Sequence, residues 1–414
     1  MNIGPILRAM KHNRTRVVLI VLEIAMTLAI VTNCVNVILA ERAKMSRKSG
    51  FDDENILWMN YRPFAPEFRK GSFLDTIIDA DIRTMSSIPG VKAVANTSFR
   101  LWEGGGSSTH VMAAGSKAEP VNTQLYYTTK DIMQTLDSKI IAGRGFRDGD
   151  HGVGTAPDPA DVILISKSLA DALFPGQNPV GKSIQESINA GAPIGDPFTV
   201  VGVFEEFYNP FGIDTAGPTP VETRGLFLPA RVGSYNGGIS YLIRTEPGAM
   251  ASVIPEIEKK LSAANGGRVF EFMTTQQKKT RWFSSGKIIV TTMTCIIVAL
   301  VAVTALGLLG LTTLAVAERT KQIGTRRALG ATRRDILSYF LVENWLVTTA
   351  GLVLGVAGAY ALNFLLVSQV SDVKMEWQLI VGGMLLLWIN GLISTLPPAM
   401  RAMAVSPSIA TRSV

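Results

Sequence analysis

Residues 317–336 read AERTKQIGTRRALGATRRDI. This stretch is short, basic and rich in residues that favour helices, and it separates two strongly apolar runs. Its basic residues are Arg319, Lys321, Arg326, Arg327, Arg333 and Arg334. Because Lys and Arg beside membrane spans mark the cytoplasmic side, we expect this stretch to be a cytoplasmic loop between two spans.

Four apolar segments are long enough to cross a bilayer, since about 20 apolar residues in a helix span a hydrocarbon core of about 30 Å. The chain has 414 residues, of which 47% are hydrophobic. The predicted spans are 17–40, 288–316, 339–367 and 379–396. The first apolar run is longer than the core of a signal peptide, and ERAK follows it instead of a small-residue cleavage site. We therefore expect this span to be retained as an anchor.

The distribution of charge orients these spans. Residues 1–16 carry four basic side chains and no acid, and the segment after the fourth span carries Arg401 and Arg412 and no acid. Residues 41–287 carry as many acidic as basic residues. The basic segments are therefore predicted inside and the large neutral domain outside. The excess positive charge, +7 overall, is a topology signal and does not indicate nucleic-acid binding.

The predicted fold class is a membrane protein with four transmembrane α-helices and a large α/β extracytoplasmic domain inserted between helices 1 and 2. Strand candidates in that domain are 55–60, 91–99, 110–114, 162–165, 198–204, 226–229 and 241–244. Helix candidates are 73–88, 166–174 and 247–264. Polar helical stalks are expected where the domain joins the membrane, at 41–49 and 274–287. The remaining predicted segments are a basic amphipathic segment at 1–16, a coupling loop at 317–338, a short external loop at 368–378 and a cytoplasmic tail at 397–414.

One motif resembles a nucleotide-binding loop but lacks its context. Residues 176–183, GQNPVGKS, match the pattern G-x-x-x-x-G-K-S, in which backbone amides and a lysine hold phosphates between a strand and a helix. Here the preceding segment reads as a helix, and Pro179 removes an amide donor. We interpret the motif as a turn. Because the sequence also contains no HExxH, CxxC or GxSxG motif, we expect a non-catalytic subunit with no cofactor and no metal on this chain.

Two parts of the chain resemble the permeases of MacB/FtsX-type ABC transporters. The first part, 306–362, contains ERTKQIG from Glu318, RRALGATRRDI from Arg326 and FLVE from Phe340. The second part is external and resembles the periplasmic core domain of MacB; it contains AGRGF at 142–146, ADALFPG at 170–176, PVGK at 179–182 and FTVVGV at 198–203. The order of one span, a large external domain and three further spans is also that of the family.

The resemblance implies a permease subunit of the bacterial inner membrane with its large domain in the periplasm. MacB carries its ATPase on the same polypeptide, whereas the inside segments here are short, so the resemblance implies a separate ABC ATPase that binds ATP and Mg. A second permease is expected, either an identical copy or a sister subunit. A periplasmic adaptor and an outer-membrane channel would complete an exporter. Two alternatives share the topology: an FtsX-like regulator that activates an extracytoplasmic partner without transport, and a lipoprotein-extracting permease.

In such permeases the loop between the second and third spans forms a short coupling helix that docks on the ATPase and transmits force to the periplasm. The residues that match this element are Glu318, Arg319, Gly324, Arg326, Arg327, Gly330 and Ala331. Some of these arginines could instead anchor to lipid phosphates. In the third span, Gly351 and Gly355 are spaced for close helix packing, either within the chain or between two permeases.

Overall fold

The computed structural model describes residues 14–69, 71–103, 106–150, 161–189, 192–205, 208–210, 220–233, 238–369 and 375–406. The predicted amphipathic segment at 1–16 lies almost entirely outside these ranges, as do parts of the predicted loop at 368–378 and tail at 397–414. The chain divides into two compact units. One contains residues 1–45 and 285–414, and the other contains residues 46–284.

Four helices of the first unit are long and apolar enough to cross a membrane. They are α1 (Arg14–Met45), α8 (Ser284–Glu318), α10 (Arg333–Gln369) and α11 (Trp377–Met403), and a short helix, α9 (Thr320–Ala328), lies between α8 and α10. Each contains one of the predicted spans, because each predicted span is a mostly apolar run long enough to cross a bilayer. The predicted four-helix architecture is therefore confirmed.

Glycines on α10 and α11 allow α1 to approach closely. A Cβ atom added at Gly351 would lie 2.8 Å from Cβ of Ile24, and one added at Gly355 would lie 3.0 Å from Cβ of Leu28. A Cβ at Gly383 on α11 would lie 2.7 Å from Cγ2 of Thr32. Van der Waals contact of this kind drives helix association where no water is present. Gly351 and Gly355 thus pack against α1 of the same chain.

The second unit contains two β-sheets. Its strands are β1 (Ile56–Pro63), β2 (Val91–Asn96), β3 (Ser107–Ala113), β4 (Val121–Thr128), β5 (Ile140–Gly143), β6 (Val162–Ser166), β7 (Ser183–Asn189), β8 (Ala192–Phe204), β9 (Gly225–Pro229), β10 (Ile239–Thr245) and β11 (Arg268–Thr274). Its helices are α2 (Gly71–Ser86), α3 (Ile132–Leu136), α4 (Lys167–Leu173), α5 (Pro220–Thr223), α6 (Met250–Ala264) and α7 (Thr275–Trp282). The α/β class predicted for this region is confirmed. All seven strand candidates are found, whereas β4, β5, β7 and β11 were not predicted.

The larger sheet closes into a barrel. Its strand order is β5-β8-β6-β9-β4-β3-β7, and β7 pairs again with β8. The closure uses the long strand β8, in which Thr199 lies opposite both Val162 of β6 and Ser183 of β7. Closure gives each of the six strands of the ring, all but β5, a partner on both sides. The apolar interior contains residues of all six closing strands, and α4 packs on it with Leu169, Ala170 and Phe174.

The phosphate-loop lookalike is a turn at this barrel. It follows α4 and precedes β7, which is the reverse of the strand–loop–helix order that a nucleotide site needs. Gly176 and Gly181 have φ values of +68° and +83°, a conformation that glycine adopts without strain. The Nζ atom of Lys182 hydrogen-bonds Oε1 of Gln177 and lies 4.9 Å from the ring centroid of Phe174. The lysine is therefore engaged by its own turn.

The smaller sheet is antiparallel, in the order β11-β1-β10-β2, and a buried ion pair crosses its core. Arg268 of β11 donates to Oδ2 of Asp81 on α2 over 2.6 Å, and its other nitrogens donate to the carbonyl oxygens of Leu261 and Asn265 at the end of α6. The hydroxyls of Tyr61 and Tyr241 also donate to Oδ2 of Asp81. Burial raises the pKa of both tyrosines, so both remain protonated donors.

We predict that Arg268→Met destabilises the second unit by about 3–5 kcal/mol, because the substitution leaves Asp81 buried without its counter-ion. The matched control is Arg62→Met on the neighbouring strand, where the arginine is exposed and a change within about 0.5 kcal/mol is expected. Denaturant unfolding of the detergent-solubilised chain, followed by tryptophan fluorescence, measures both. Equal losses in the two variants would contradict the assignment.

We also predict that Gly351→Leu weakens the packing of α10 on α1 by about 1–3 kcal/mol, because the added side chain has no space. Gly310→Leu is the control, since a Cβ there meets no heavy atom within 4 Å. Thermal unfolding in detergent should separate the two variants. If Gly310→Leu lowers the midpoint as much as Gly351→Leu, the close contact between α1 and α10 is not what the glycine serves.

Candidate functional site

The loop between α8 and α10 is a short helix bounded by two turns. Helix α8 ends at Glu318, and Arg319, with φ −97° and ψ 6°, makes the turn into α9. Helix α9 ends before Leu329, and Gly330 has φ +101°. This left-handed conformation favours glycine, and it directs the backbone N–H of Ala331 to the carbonyl oxygen of Arg326 at 3.0 Å. The sequence ALGA thus ends one helix and positions the next.

Helix α10 starts at a reciprocal cap. The N–H of Thr332 donates to Oδ2 of Asp335 at 2.8 Å, and the N–H of Asp335 donates to Oγ1 of Thr332 at 3.2 Å. Such a cap satisfies two backbone donors that the first helical turn leaves unpaired. It fixes the point at which the loop becomes a membrane helix.

One side of α9 is buried against the ends of three membrane helices. Ile323 is buried in a cluster with Val316 of α8 and with residues of α10 and α11, namely Ile336, Phe340, Ala399 and Ala402. Gly324 is buried beside Ile323, and Ala331 packs against the same cluster. The apolar contact holds the short helix in place, since a helix of nine residues is not stable on its own.

An ion pair ties the turn at Arg319 to α10. The Nη1 atom of Arg319 lies 3.0 Å from Oε2 and 3.2 Å from Oε1 of Glu343, and the two side chains are only 13% and 12% exposed. Both border a small cavity of about 30 Å³ that Arg16 of α1 also lines. Glu343 belongs to the FLVE motif, so the pair joins two motifs that the sequence shows separately.

Two further arginines of α9 contact neighbouring helices. Nη1 of Arg327 donates to the carbonyl oxygen of Met403, the last residue of α11, at 2.8 Å. The guanidinium of Arg326 lies 4.9 Å from the ring centroid of Tyr339 on α10, although the residue as a whole is exposed. Of the four charged residues expected to face a partner, Arg319 and Arg327 therefore have partners within the chain, and Glu318 and Arg326 are exposed.

The outer side of the loop combines positive charge with one large apolar side chain. Leu329 is 84% exposed. The other residues exposed on this side include Glu318, Lys321, Arg326, Gly330, Arg333 and Arg334. A single exposed leucine is common on protein surfaces and does not by itself mark a contact site. Sequence reasoning missed Leu329 because it reads as an ordinary apolar position within a helix. In the part of the chain that the structure describes, no group of His, Cys, Asp and Glu could hold a metal ion.

Comparison with known proteins identifies two family regions. A family model described as the MacB-like periplasmic core domain matches residues 18–260, and one described as the FtsX-like permease C-terminal region matches residues 294–407. Among solved structures, the periplasmic region of MacB from Actinobacillus actinomycetemcomitans aligns with a TM-score of 0.33 and 16% identity, covering 56% of this chain and 94% of that chain.

The chain covers different shares of three named relatives. The uncharacterized ABC transporter permease YknZ of Bacillus subtilis is 26% identical over 355 residues, which are 81% of this chain and 79% of the relative. The probable syringafactin export ATP-binding/permease protein SyfD of Pseudomonas syringae is 29% identical over 273 residues, covering 63% of this chain and 37% of the relative. The macrolide export ATP-binding/permease protein MacB of Neisseria gonorrhoeae is 25% identical over 303 residues, which are 71% of this chain and 44% of the relative.

This chain thus spans less than half the length of the two ATP-binding/permease relatives. The core-domain model alone matches more than half of the chain, and the second model covers the loop at 317–338 together with the helices on either side of it. The chain belongs to the MacB/FtsX-type family of ABC transporter permeases.

Proposed function

We propose that this chain couples ATP hydrolysis by a separate ABC ATPase to conformational work on the far side of the bacterial inner membrane, and that the work is export of a substrate across the cell envelope. The observation that carries the proposal is the loop at 319–332, whose inner side is fixed to α10 and α11 and whose outer side presents Leu329 among arginines. The ATPase, with its ATP and Mg, docks on that outer side.

Rigid attachment makes the loop suitable for transmitting a displacement. Arg319 is paired with α10, Arg327 with the end of α11, and Ile323 is buried between them. A push on α9 therefore moves the ends of the membrane helices instead of bending a flexible loop. The external unit, in the periplasm, is where the motion is used, with an adaptor and an outer-membrane channel as further partners.

A second permease completes the transporter in this proposal. Helix α8 carries several large apolar side chains that are mostly exposed, among them Ile288, Val298, Val303 and Leu306. Lipid covers such residues in a lone chain, and a second permease, identical or sister, covers part of them in the assembled transporter. Size-exclusion chromatography with light scattering on the nanodisc-embedded complex counts the permeases.

The docking prediction is tested with Arg326→Glu and Leu329→Asp. Arg326→Glu reverses a charge on the exposed side of the loop, and Leu329→Asp replaces its large apolar side chain with a charged one. We expect each variant to bind the ATPase about tenfold or more weakly, as for central interface residues. Arg327 is left unchanged because it holds α11. Arg401→Glu is the control, since Arg401 is an exposed residue outside the loop.

Co-purification and permease-stimulated ATP hydrolysis are the measurements for these variants. Unchanged co-purification and stimulation in both loop variants would refute docking at this loop. If docking is lost as expected but the wild-type complex moves no substrate in a vesicle assay, export is wrong and a regulatory role replaces it.

The transmission prediction is tested at the ion pair. Arg319→Glu places two carboxylates together in a nearly buried site, and we expect a loss of about 3–5 kcal/mol in stability. The exchanged pair Arg319→Glu/Glu343→Arg should recover a large part of this loss and of ATP-dependent activity. Arg333→Glu, an exposed charge reversal, is the control.

The midpoint of thermal unfolding in detergent and ATP-dependent activity are measured together for these variants. A double variant no better than the single one would show that the two charges do not act as a pair.

A further inference from the structure

The helix that leads from the external unit into α8 is unusually well attached to its own domain. Helix α7 begins with a capping box between Thr274 and Gln277. The hydroxyl of Thr275, which is fully buried, donates to the carbonyl oxygen of Ile56 on β1 at 2.8 Å. One residue, Phe283, separates the end of α7 from Ser284, where α8 starts. The chain passes from one unit to the other at this point.

Lys278 is buried inside the domain although it lies on a polar helix. Its side chain is 1% exposed, its Nζ atom lies 3.6 Å from the ring centroid of Trp58, and it is ion-paired with Glu103. Burial lowers the pKa of Lys278, and Glu103 opposes that shift. The indole N–H of Trp58 has no hydrogen-bond acceptor among the described residues. The polar interaction of this tryptophan is therefore with the lysine, through the face of the ring.

Lys279, the next residue, also contacts a carboxylate and the face of a tryptophan ring. Nζ of Lys279 lies 3.0 Å from Oδ2 of Asp53 and 4.6 Å from the ring centroid of Trp102. The indole N–H of Trp102 donates to Oδ1 of the same Asp53 at 2.9 Å. Phe283 packs on Trp102 with ring centroids 5.5 Å apart. Two adjacent lysines thus hold two tryptophans and two carboxylates.

Trp102 has a strained backbone. Its φ is +53°, which is rare for a bulky residue and is sustained only when the surroundings enforce it. Its N–H donates to Oδ1 of Asn209, a fully buried residue, at 3.1 Å. The strain places the ring between α7 and the domain, against Lys279 and Phe283.

We propose that Lys278 and Lys279, clamped on Trp58 and Trp102, form a rigid joint that passes displacement of α8 to the external domain. The inference rests on the proposed function, because it takes α8 to be driven by the ATPase. The two lysines are positioning residues. Without the clamp, α7 would move relative to β1, and motion of α8 would be absorbed before reaching the domain.

The first test measures rigidity and does not require the ATPase. In the full chain in nanodiscs, hydrogen exchange of the α7 amides is compared for wild type, Lys278→Met/Lys279→Met and the control Lys259→Met, which changes an exposed lysine of α6. We expect exchange in α7 to rise about tenfold in the double variant only, consistent with the loss of charge-assisted contacts. Exchange in β6 should not change. If β6 also exchanges faster, the single variant Lys279→Gln, whose lysine is partly exposed, replaces the double variant.

The second test measures transmission in the complex with the ATPase. Neither Cys34 nor Cys295 lies in the external unit, so replacing both and introducing one cysteine at Lys117 allows a fluorophore to report on the external domain alone. We expect the double variant to retain the wild-type rate of ATP hydrolysis and to lose most of the ATP-dependent signal.

The outcomes separate the two proposals. Unchanged exchange in α7, or increased exchange with a full ATP-dependent signal, would overturn the joint. If wild type and Lys259→Met both lack an ATP-dependent signal, the proposed function fails, and the exchange experiment still decides whether α7 is clamped.

Discussion

The ion pair between Arg319 and Glu343 is the interaction that ties the loop at 319–332 to the membrane helices. Arg319 makes the turn from α8 into α9, and Glu343 lies on α10. Because both side chains are nearly buried, separating them would leave two charges uncompensated where the dielectric is low. The turn and α10 therefore move together. Motion that reached the turn would pass directly to the third membrane helix.

The two sides of the loop at 319–332 differ. One side packs against the membrane helices, and the other is exposed. The buried side, with Ile323 and Gly324, is held by apolar packing, and Arg327 fixes it to the end of α11. The exposed side presents Leu329 and a set of positive charges. At the other end of α8, Lys278 and Lys279 attach α7 to its domain.

The four spans and the α/β class could be predicted because long apolar runs and alternating strands are local signals. Strands β4, β7 and β11 were missed because polar residues such as Thr, Gln and Glu interrupt their patterns, and β5 has only four residues. Closure of the barrel through β8 depends on pairings distant in sequence, as does the pair formed by Arg268 and Asp81. At the site, the motifs located the loop, but the partners Glu343 and Met403 become neighbours only in the folded chain. The exposure of Leu329 likewise depends on the turn at Gly330.

Photo-crosslinking tests most directly whether the ATPase docks on the exposed side of the loop at 319–332. A photoreactive amino acid is placed at Leu329, and in a second protein at Lys117, an exposed residue of the second unit. The ATPase is co-expressed, membranes are irradiated, and crosslinked products are identified by mass spectrometry. We expect a permease–ATPase product from position 329 and none from position 117. A product from position 117, or from neither position while the two proteins still co-purify, would contradict this expectation.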